Sequence, residues 1–513
     1  MIIDIKNLPN DTESLQDLLR KQNSYVSHLE EQIKLLLLKR YGSRAEYIPI
    51  GQRSLFDEAE LARLNQNSEI SSTDNPENTS SSTTIVPEHE RKKRARKSLP
   101  EALERVKLYH SLSLEERTCQ THACEMKEMG FEVSEQLDIV PAVIRVLQHN
   151  RHKYTCPKCT GHIKVAPLPA QMIPKSMASS GLLAHVAVCK YEDSLPLYRQ
   201  ESILERSGIE LGRNTLSRWM IQCGEQLTPM INLMRDELLS SQYVQCDETT
   251  IQVLKEKDRA AETKSYMWAM ASMSSEKPIV LYEYRASRSA DTAYNLLQGF
   301  KGFLQTDGFA GYNKIASSAE ISHLGCWAHA RRKFFEAVKG APKNSKDGVS
   351  KKILSLIQML YKIERDFSES NSEIRLQARQ EKALPILEEI KKILYDNLAD
   401  IPPKSLTGKA IHYTLSEWNK LTIYIKDGNL KIDNNFIENK IRPFCIGRKN
   451  WLFADTPAGA DASAAIYSII ITAKANGIDT YSYLRFLFER MPSAKTAEEY
   501  EQLLPWNFKK SFH

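Results

Sequence analysis

Apolar residues recur at helical spacing across residues 12–41, where Leu15, Leu18, Leu19, Tyr25, Leu29, Ile33 and Leu36 line one stripe. The stripe predicts an amphipathic helix of about four heptads, able to pair with a copy of itself or to pack on its own chain. Residues 65–84 are rich in Ser, Thr and Asn, bury too little apolar surface to order themselves, and read as a linker. A strand-like stretch lies at 140–147. Residues 195–227 predict two helices with a turn at Ser207-Gly208, the second opening near Arg213. After Ser240 the pattern becomes strand-rich. Residues 243–253, 264–273 and 278–286 predict three successive strands, 290–300 a helix, 302–306 a strand and 321–327 another. From 330 to about 427 Lys, Glu, Leu and Ile return at helical spacing as a helical insertion. Glu438 follows on a further helix, with Asn434, Asn435 and Arg442 three or four residues away on the same face.

Three hairpin-linked strands followed by βαβ elements describe a ribonuclease-H-like α/β core, here in a multidomain α+β chain. At 513 residues the length suggests about three or four units. The expected boundaries are a zipper-like helical region at 1–64, a polar and basic linker at 65–100, a zinc-finger-like module at 101–170 and a helix-turn-helix region at 171–238. The catalytic domain follows at 239–470, with its helical insertion at about 336–428, and a C-terminal segment occupies 471–513. Hydrophobic content of 42% and charged content of 26% are those of a globular protein, and the apolar run at 464–473 is too short and too polar to cross a bilayer. The first residues lack a basic region followed by an apolar core, so a cytoplasmic, nucleoid-associated protein without a membrane partner is expected.

Composition adds two things. Nine cysteines, an odd number with one C-x-x-C pair, argue for reduced thiols and a metal site over a disulfide framework. Cys119 and Cys124, then Cys156 and Cys159, could form a tetrahedral zinc ribbon, with His122 a competing ligand. The net charge of +6 is modest, but it clusters: Arg91, Lys92, Lys93, Arg94, Arg96 and Lys97 crowd seven residues and suit a DNA backbone. In the helix-turn-helix, Arg213, Asn214, Ser217 and Arg218 would face a groove. Further along, Arg331, Arg332 and Lys333 could hold the backbone, while Arg448, Lys449 and Trp451 offer cations and a ring for phosphates and a splayed base.

The chemistry concentrates in three acids. Asp247 (V-Q-C-D-E-T) and Asp307 (L-Q-T-D-G-F) follow β-prone runs and Glu438 (F-I-E-N-K) lies on a helix, so the three could converge at one sheet edge. Gly308 permits a tight turn that leaves the second carboxylate exposed. Converging carboxylates hold Mg²⁺, a hard cation, and two such ions about 3.5–4 Å apart can activate an attacking oxygen and stabilise a leaving one. In this reading Asp247 bridges two ions while Asp307 and Glu438 each hold one, with Mn²⁺ as a substitute metal. Glu248 should point to the opposite sheet face as a structural residue. His329 reads as a buried histidine hydrogen-bonded against Trp327.

Nearly the whole chain resembles the transposases of the insertion-sequence-66 family. The motifs that carry the resemblance are G-S-R-A-E near Gly42, L-F-D-E-A-E at 55–60, L-P-L-Y-R-Q-E at 195–201, C-D-E-T, T-D-G-F-A-G-Y, C-W-A-H-A-R-R-K-F at 326–334, the stretch at 434–453 and L-L-P-W-N-F near the end. The resemblance implies an Asp-Asp-Glu core on Asp247, Asp307 and Glu438, a zinc-finger-like module, a helix-turn-helix and an N-terminal zipper. It also implies cleavage at terminal inverted repeats, joining to target DNA, assembly as a dimer or larger, and accessory proteins of the same element. Two departures stand out. The first cysteine pair is wider than the family's C-x-x-C. Where related transposases carry a cation about two turns after the glutamate this chain has Cys445, leaving Arg442 or Arg448. The competing readings are a ribonuclease-H-type nuclease that does not join, and an inactive DNA-binding protein.

Overall fold

The computed structural model describes scattered positions between 11 and 33, then residues 144–150, 152–155, 163–165, 167–274, 276–341 and 348–508. The chain divides into two compact units, Ser72–Ala166 and the remainder, Met1–Ser71 with Pro167–His513. In the smaller unit β1 (Lys153–Thr155) and β2 (Ile163–Val165) pair antiparallel, Lys153 opposite Val165. These strands bracket in sequence the segment that carries Cys156 and Cys159. All four candidate zinc cysteines and the basic run 91–97 lie outside the described residues. The described positions of the N-terminal segment are helical from Thr12 onward, and Leu19, Val26, Leu29 and Ile33 are exposed.

The larger unit has at its centre a five-stranded mixed sheet. Strands β3 (Tyr243–Gln252), β4 (Lys264–Ser272) and β5 (Val280–Arg285) form an antiparallel meander, and β6 (Gly302–Gln305) and β7 (Ile321–Leu324) add in parallel on the other side of β3, giving the order β5-β4-β3-β6-β7. β3 is therefore the central strand, buried through its first half because sheet neighbours flank it on both sides. Gly302 starts β6 at φ +130°, and a Cβ there would lie 2.4 Å from the Gln242 carbonyl oxygen, so only glycine lets the two strands close.

Between residues 180 and 240 four helices lead into the sheet: α1 (Ser180–Tyr191), α2 (Leu197–Arg206), α3 (Arg213–Gln226) and α4 (Thr228–Ser240). A short helix, α5 (Ala290–Leu296), capped by the Ser289 hydroxyl, links β5 to β6. The stretch expected as strand through Trp327 stops at Leu324, and α6 (Trp327–Gly340) begins there instead. Then α7 (Gly348–Asp366), α8 (Ser372–Ala378), α9 (Leu384–Asp396) and α10 (Leu406–Ser416) build a helical body whose own apolar cluster includes Trp327, Phe334, Ile357, Leu360, Leu394 and Trp418. The chain returns to the sheet in α11 (Asn435–Trp451) and finishes in α12 (Pro457–Ala475), α13 (Thr480–Arg490) and α14 (Ala497–Gln502).

The apolar run at 464–473 is the middle of α12, buried between α3 on one side and β5 on another. It is apolar nearly all round because it is covered nearly all round. At its closest contact with α3, a Cβ on Gly224 would fall 2.5 Å from the Ala462 Cα. Towards β5, the Ser468 and Thr472 hydroxyls accept the Tyr282 and Val280 amide hydrogens at 2.8 and 3.0 Å. Among the described residues no helix is long and apolar enough to cross a membrane.

Candidate active site

Parallel pairing places Gln245 opposite Gln305, and two residues further along the chain stand Asp247, still on β3, and Asp307, just past the end of β6. Both glutamines are fully buried. The Gln245 amide donates to Gln305 Oε1 at 2.7 Å, and Gln305 in turn donates to the carbonyls of Gly325 and Lys431 at 3.1 and 3.0 Å. Gln245 also reaches α11: it donates to the Asp433 carbonyl at 3.2 Å, and its Oε1 accepts the Ile437 amide hydrogen at 3.1 Å. A free N–H in the first turn of α11 thus finds its partner on β3. This fixes Glu438, one residue on, beside the two aspartates.

Asp247 accepts the Glu248 amide hydrogen at 2.9 Å, and Asp307 accepts that of Phe309 at 2.9 Å. Burial pushes the Asp247 carboxyl well above the ordinary carboxylate range, and the negative charges of Glu248, Glu438 and Asp307 push it further. Among the described residues no side-chain cation pairs with Asp247. The other acids do have partners. Glu438 Oε1 lies 3.0 Å from His329 Nε2, and Arg288 pairs with Glu248 while its Nη2 stands 3.8 Å from Asp307 Oδ2. As they stand, no three acids, histidines or cysteines among the described residues are close enough to enclose an ion. The donor set nonetheless suits a hard divalent cation: carboxylate oxygens around an unneutralised Asp247, with Arg288 beside Asp307 and the His329 ring nitrogen beside Glu438.

Glu248 is buried and shares Arg288 with Asp307, so it stays in the electrostatic neighbourhood of the acids. Its side chain is 1% exposed, accepts from the Tyr312 hydroxyl at 2.6 Å and is anchored by Arg288, whose guanidinium lies 3.8 Å from the Phe309 ring centroid. His329 differs from expectation. The Trp327 indole donates to the Leu421 carbonyl at 2.8 Å, which leaves His329 half-buried and facing Glu438 instead of packed in a core. The residues the sequence reading missed are Gln245, Gln305, Arg288 and His329 as a neighbour of Glu438. The signal for the glutamines was present: Gln-x-Asp occurs at both aspartates.

The expected DNA contacts are dispersed. Arg213, Asn214 and Arg218 are exposed at the start of α3 and Ser217 is half-buried beside them. On α6 Arg332 is exposed and the Lys333 ammonium sits 4.5 Å from the Tyr413 ring centroid, but Arg331 is buried on the inner helix face, which removes it from the surface. Asn434 is fully buried, Asn435 turns back to Asp433 at 3.0 Å, and Arg442 is half-buried. Arg448 donates to the Thr249 and Thr250 hydroxyls at 3.1 and 3.2 Å, which places a cation against β3 just past Asp247. Lys449 is exposed. Trp451 is not a free ring for a splayed base. It packs edge-on against Phe444 at 5.5 Å, with the Lys190 ammonium 5.6 Å from its centroid.

Residues 175–462 match the transposase IS66 family, 468–506 the IS66 C-terminal element and 116–160 the zinc-finger binding domain of transposase IS66. Residues 28–108 match the family described as transposase C of IS166 homeodomain. The chain belongs to the IS66 family of transposases. It is 31% identical over 510 residues to the uncharacterised protein y4qI of Sinorhizobium fredii, covering 96% of this chain and 90% of the relative. It is 34% identical over 409 residues to the uncharacterised protein y4jD of the same organism, covering 77% and 79%. No solved structure matches the chain.

Proposed function

We propose that this chain is a DNA transposase whose Asp247, Asp307 and Glu438 act together on a phosphodiester at the terminal inverted repeats of its element. The observation that carries the reading is the paired Gln-x-Asp strands, with Gln245 holding α11 so that Glu438 joins the two aspartates. The sheet order, an antiparallel meander extended by two parallel strands beside the central one, supports a ribonuclease-H-like platform. Divalent ions, Mg²⁺ with Mn²⁺ as a substitute, would be held by the three acids, and when bound they supply activation of the attacking oxygen and stabilisation of the leaving one.

Two displacements follow from one site. In the first a water oxygen bonds to phosphorus, the bond from phosphorus to the 3′ oxygen breaks, and that oxygen leaves as a hydroxyl after taking a proton. In the second the new 3′-hydroxyl bonds to a phosphorus of target DNA and releases that strand's 3′ oxygen. Arg448 and Lys449 bind phosphate near β3, while Arg213, Asn214 and Arg218 read the repeat. The cysteines at 119, 124, 156 and 159 hold a structural zinc ion, and the basic run 91–97 follows the backbone. The exposed stripe of Leu19, Val26, Leu29 and Ile33 pairs two copies, which bring two element ends together, with accessory proteins of the same element as further partners.

The test scores nicking and joined product on DNA bearing the element ends. Wild type is expected to give both, and Asp247→Asn to lose both by on the order of 10³-fold while binding the same DNA. Wild-type activity in Asp247→Asn would end the assignment. Nicking without joining would favour a simple nuclease, and neither product from wild type an inactive DNA-binding protein.

A further inference from the structure

The end of α11 holds a feature that neither the fold nor the acid site requires. Leu452 has φ +67° and ψ −52°, and the Trp451 carbonyl accepts the Phe453 amide hydrogen at 2.9 Å. Leu452 is therefore the centre of a γ-turn of the rare, strained hand. Its side chain is 64% exposed and that of Phe453 43%. Two apolar side chains thus project from a strained turn into solvent, and strain of this kind persists where the surroundings hold it for a function. The surroundings are specific. The Leu452 amide donates to Arg448 at 2.7 Å, the Ala454 amide donates to Gln252 at 2.9 Å, and Asn450 donates to the Ser194 carbonyl at 3.0 Å, so β3 and the approach to α2 fix the turn from both sides. Arg448 and the exposed Lys449 sit beside it with no acidic partner among the described residues, while the nearby Asp455 is taken by Lys255 at 2.8 Å. Apolar tips flanked by unneutralised cations fit a polyanion with a stacked apolar interior.

We propose that Leu452 and Phe453 form a wedge that enters the DNA duplex at the element end and unstacks a base step there. This rests on the reading of the chain as a transposase. Apolar side chains used in this way insert between base pairs, and the opened step makes the duplex easier to bend into an enzyme. Gln252, which anchors the turn, is five residues beyond Asp247 on β3. For a duplex lying along β3, at roughly 3.3 Å per residue and 3.4 Å per base pair, the wedge meets DNA about five base steps from the phosphate at the acids.

The experiment places 2-aminopurine singly at each of the terminal base pairs and reads its fluorescence when the full-length, zinc-loaded protein binds without added magnesium or manganese, where no cutting occurs. Wild type should raise the signal several-fold at about the fifth step from the cleavage point and little elsewhere. The Leu452→Ala, Phe453→Ala double variant should bind within about twofold of wild type, lose that rise, cut paired DNA about tenfold more slowly, and recover on a substrate mismatched at that step. Leu452→Gly, which accepts the turn without strain, should melt no lower than wild type and still lose most of the rise. The proposal is overturned if wild type binds without unstacking any base, if the double variant keeps the signal, or if it cuts paired and mismatched DNA equally slowly. A change of oligomeric state with the DNA signals intact would equally overturn it, assigning the surface to a second copy. Unstacking by a wild type that never cuts would leave the wedge standing and remove the catalytic reading instead.

Discussion

Asp247 carries the least compensated charge of the acid site, and its consequences reach stability as well as chemistry. Its folded-state carboxyl is raised by burial and by Glu248, Glu438 and Asp307, so the folded chain holds that proton more tightly than the unfolded chain does. The stabilising contribution is then present at acid pH and is lost as pH rises from the ordinary carboxylate range through the raised value. At pH 7 without added magnesium Asp247→Asn should therefore be more stable than wild type, with a flatter stability profile above about pH 4. Magnesium at 100 times its dissociation constant should add about 2.7 kcal/mol to wild type and far less to the variant. Urea denaturation across pH, with and without the ion, checks both. The acids themselves were legible because each ends or follows a recognisable run. Arg288 and His329 were not, because each acts on an acid in another element, His329 on one 109 positions away.

At the scale of elements, α11 is set by Gln245 more than by its own sequence. Its N-cap residue Asn434 makes no capping bond, the Asp433 carboxylate accepts only the Asn435 amide hydrogen among those of the first turn, and Pro443 removes one interior hydrogen bond. Gln245→Ala takes away the acceptor for the buried Ile437 amide and the half-buried donor to the Asp433 carbonyl, and should cost about 2–3 kcal/mol. Because Glu438 is then loosely placed, strand cleavage should fall by about 10²-fold with DNA affinity unchanged. A gel-shift titration beside a cleavage time course separates the two, and equal losses in both would argue for general unfolding. The central strands were readable from period and β-branched content, with boundaries within a few residues. The seating of α12 was not: an apolar run of ten residues announces burial but does not say that it lies between α3 and β5.

At the scale of the molecule, the described part of the smaller unit buries little apolar surface: Ile144, Val146, Leu147 and Val165 are exposed. Small units of this kind are commonly held by metal. Purified protein should contain about one zinc ion per chain by elemental analysis, and Cys156→Ser should lose it. Chelation should open residues 72–166 to limited proteolysis and leave 167–508 intact. A zinc-free protein with an unchanged digestion pattern would reject this. The order of modules could be read from composition and spacing, since linkers, cysteine pairs and strand runs each leave a local mark. The long helical body before Glu438 could be read as helical but not in its internal packing, which depends on contacts between distant helices.

The hydroxyls of Ser468 and Thr472 deserve a last thought for what they shield. β5 is the outermost strand, and its Val280 and Tyr282 amides would otherwise be free to pair with any passing chain. The helix that satisfies them comes 186 to 192 positions further along the chain. A chain interrupted before that helix would carry a naked, adhesive border and should clump.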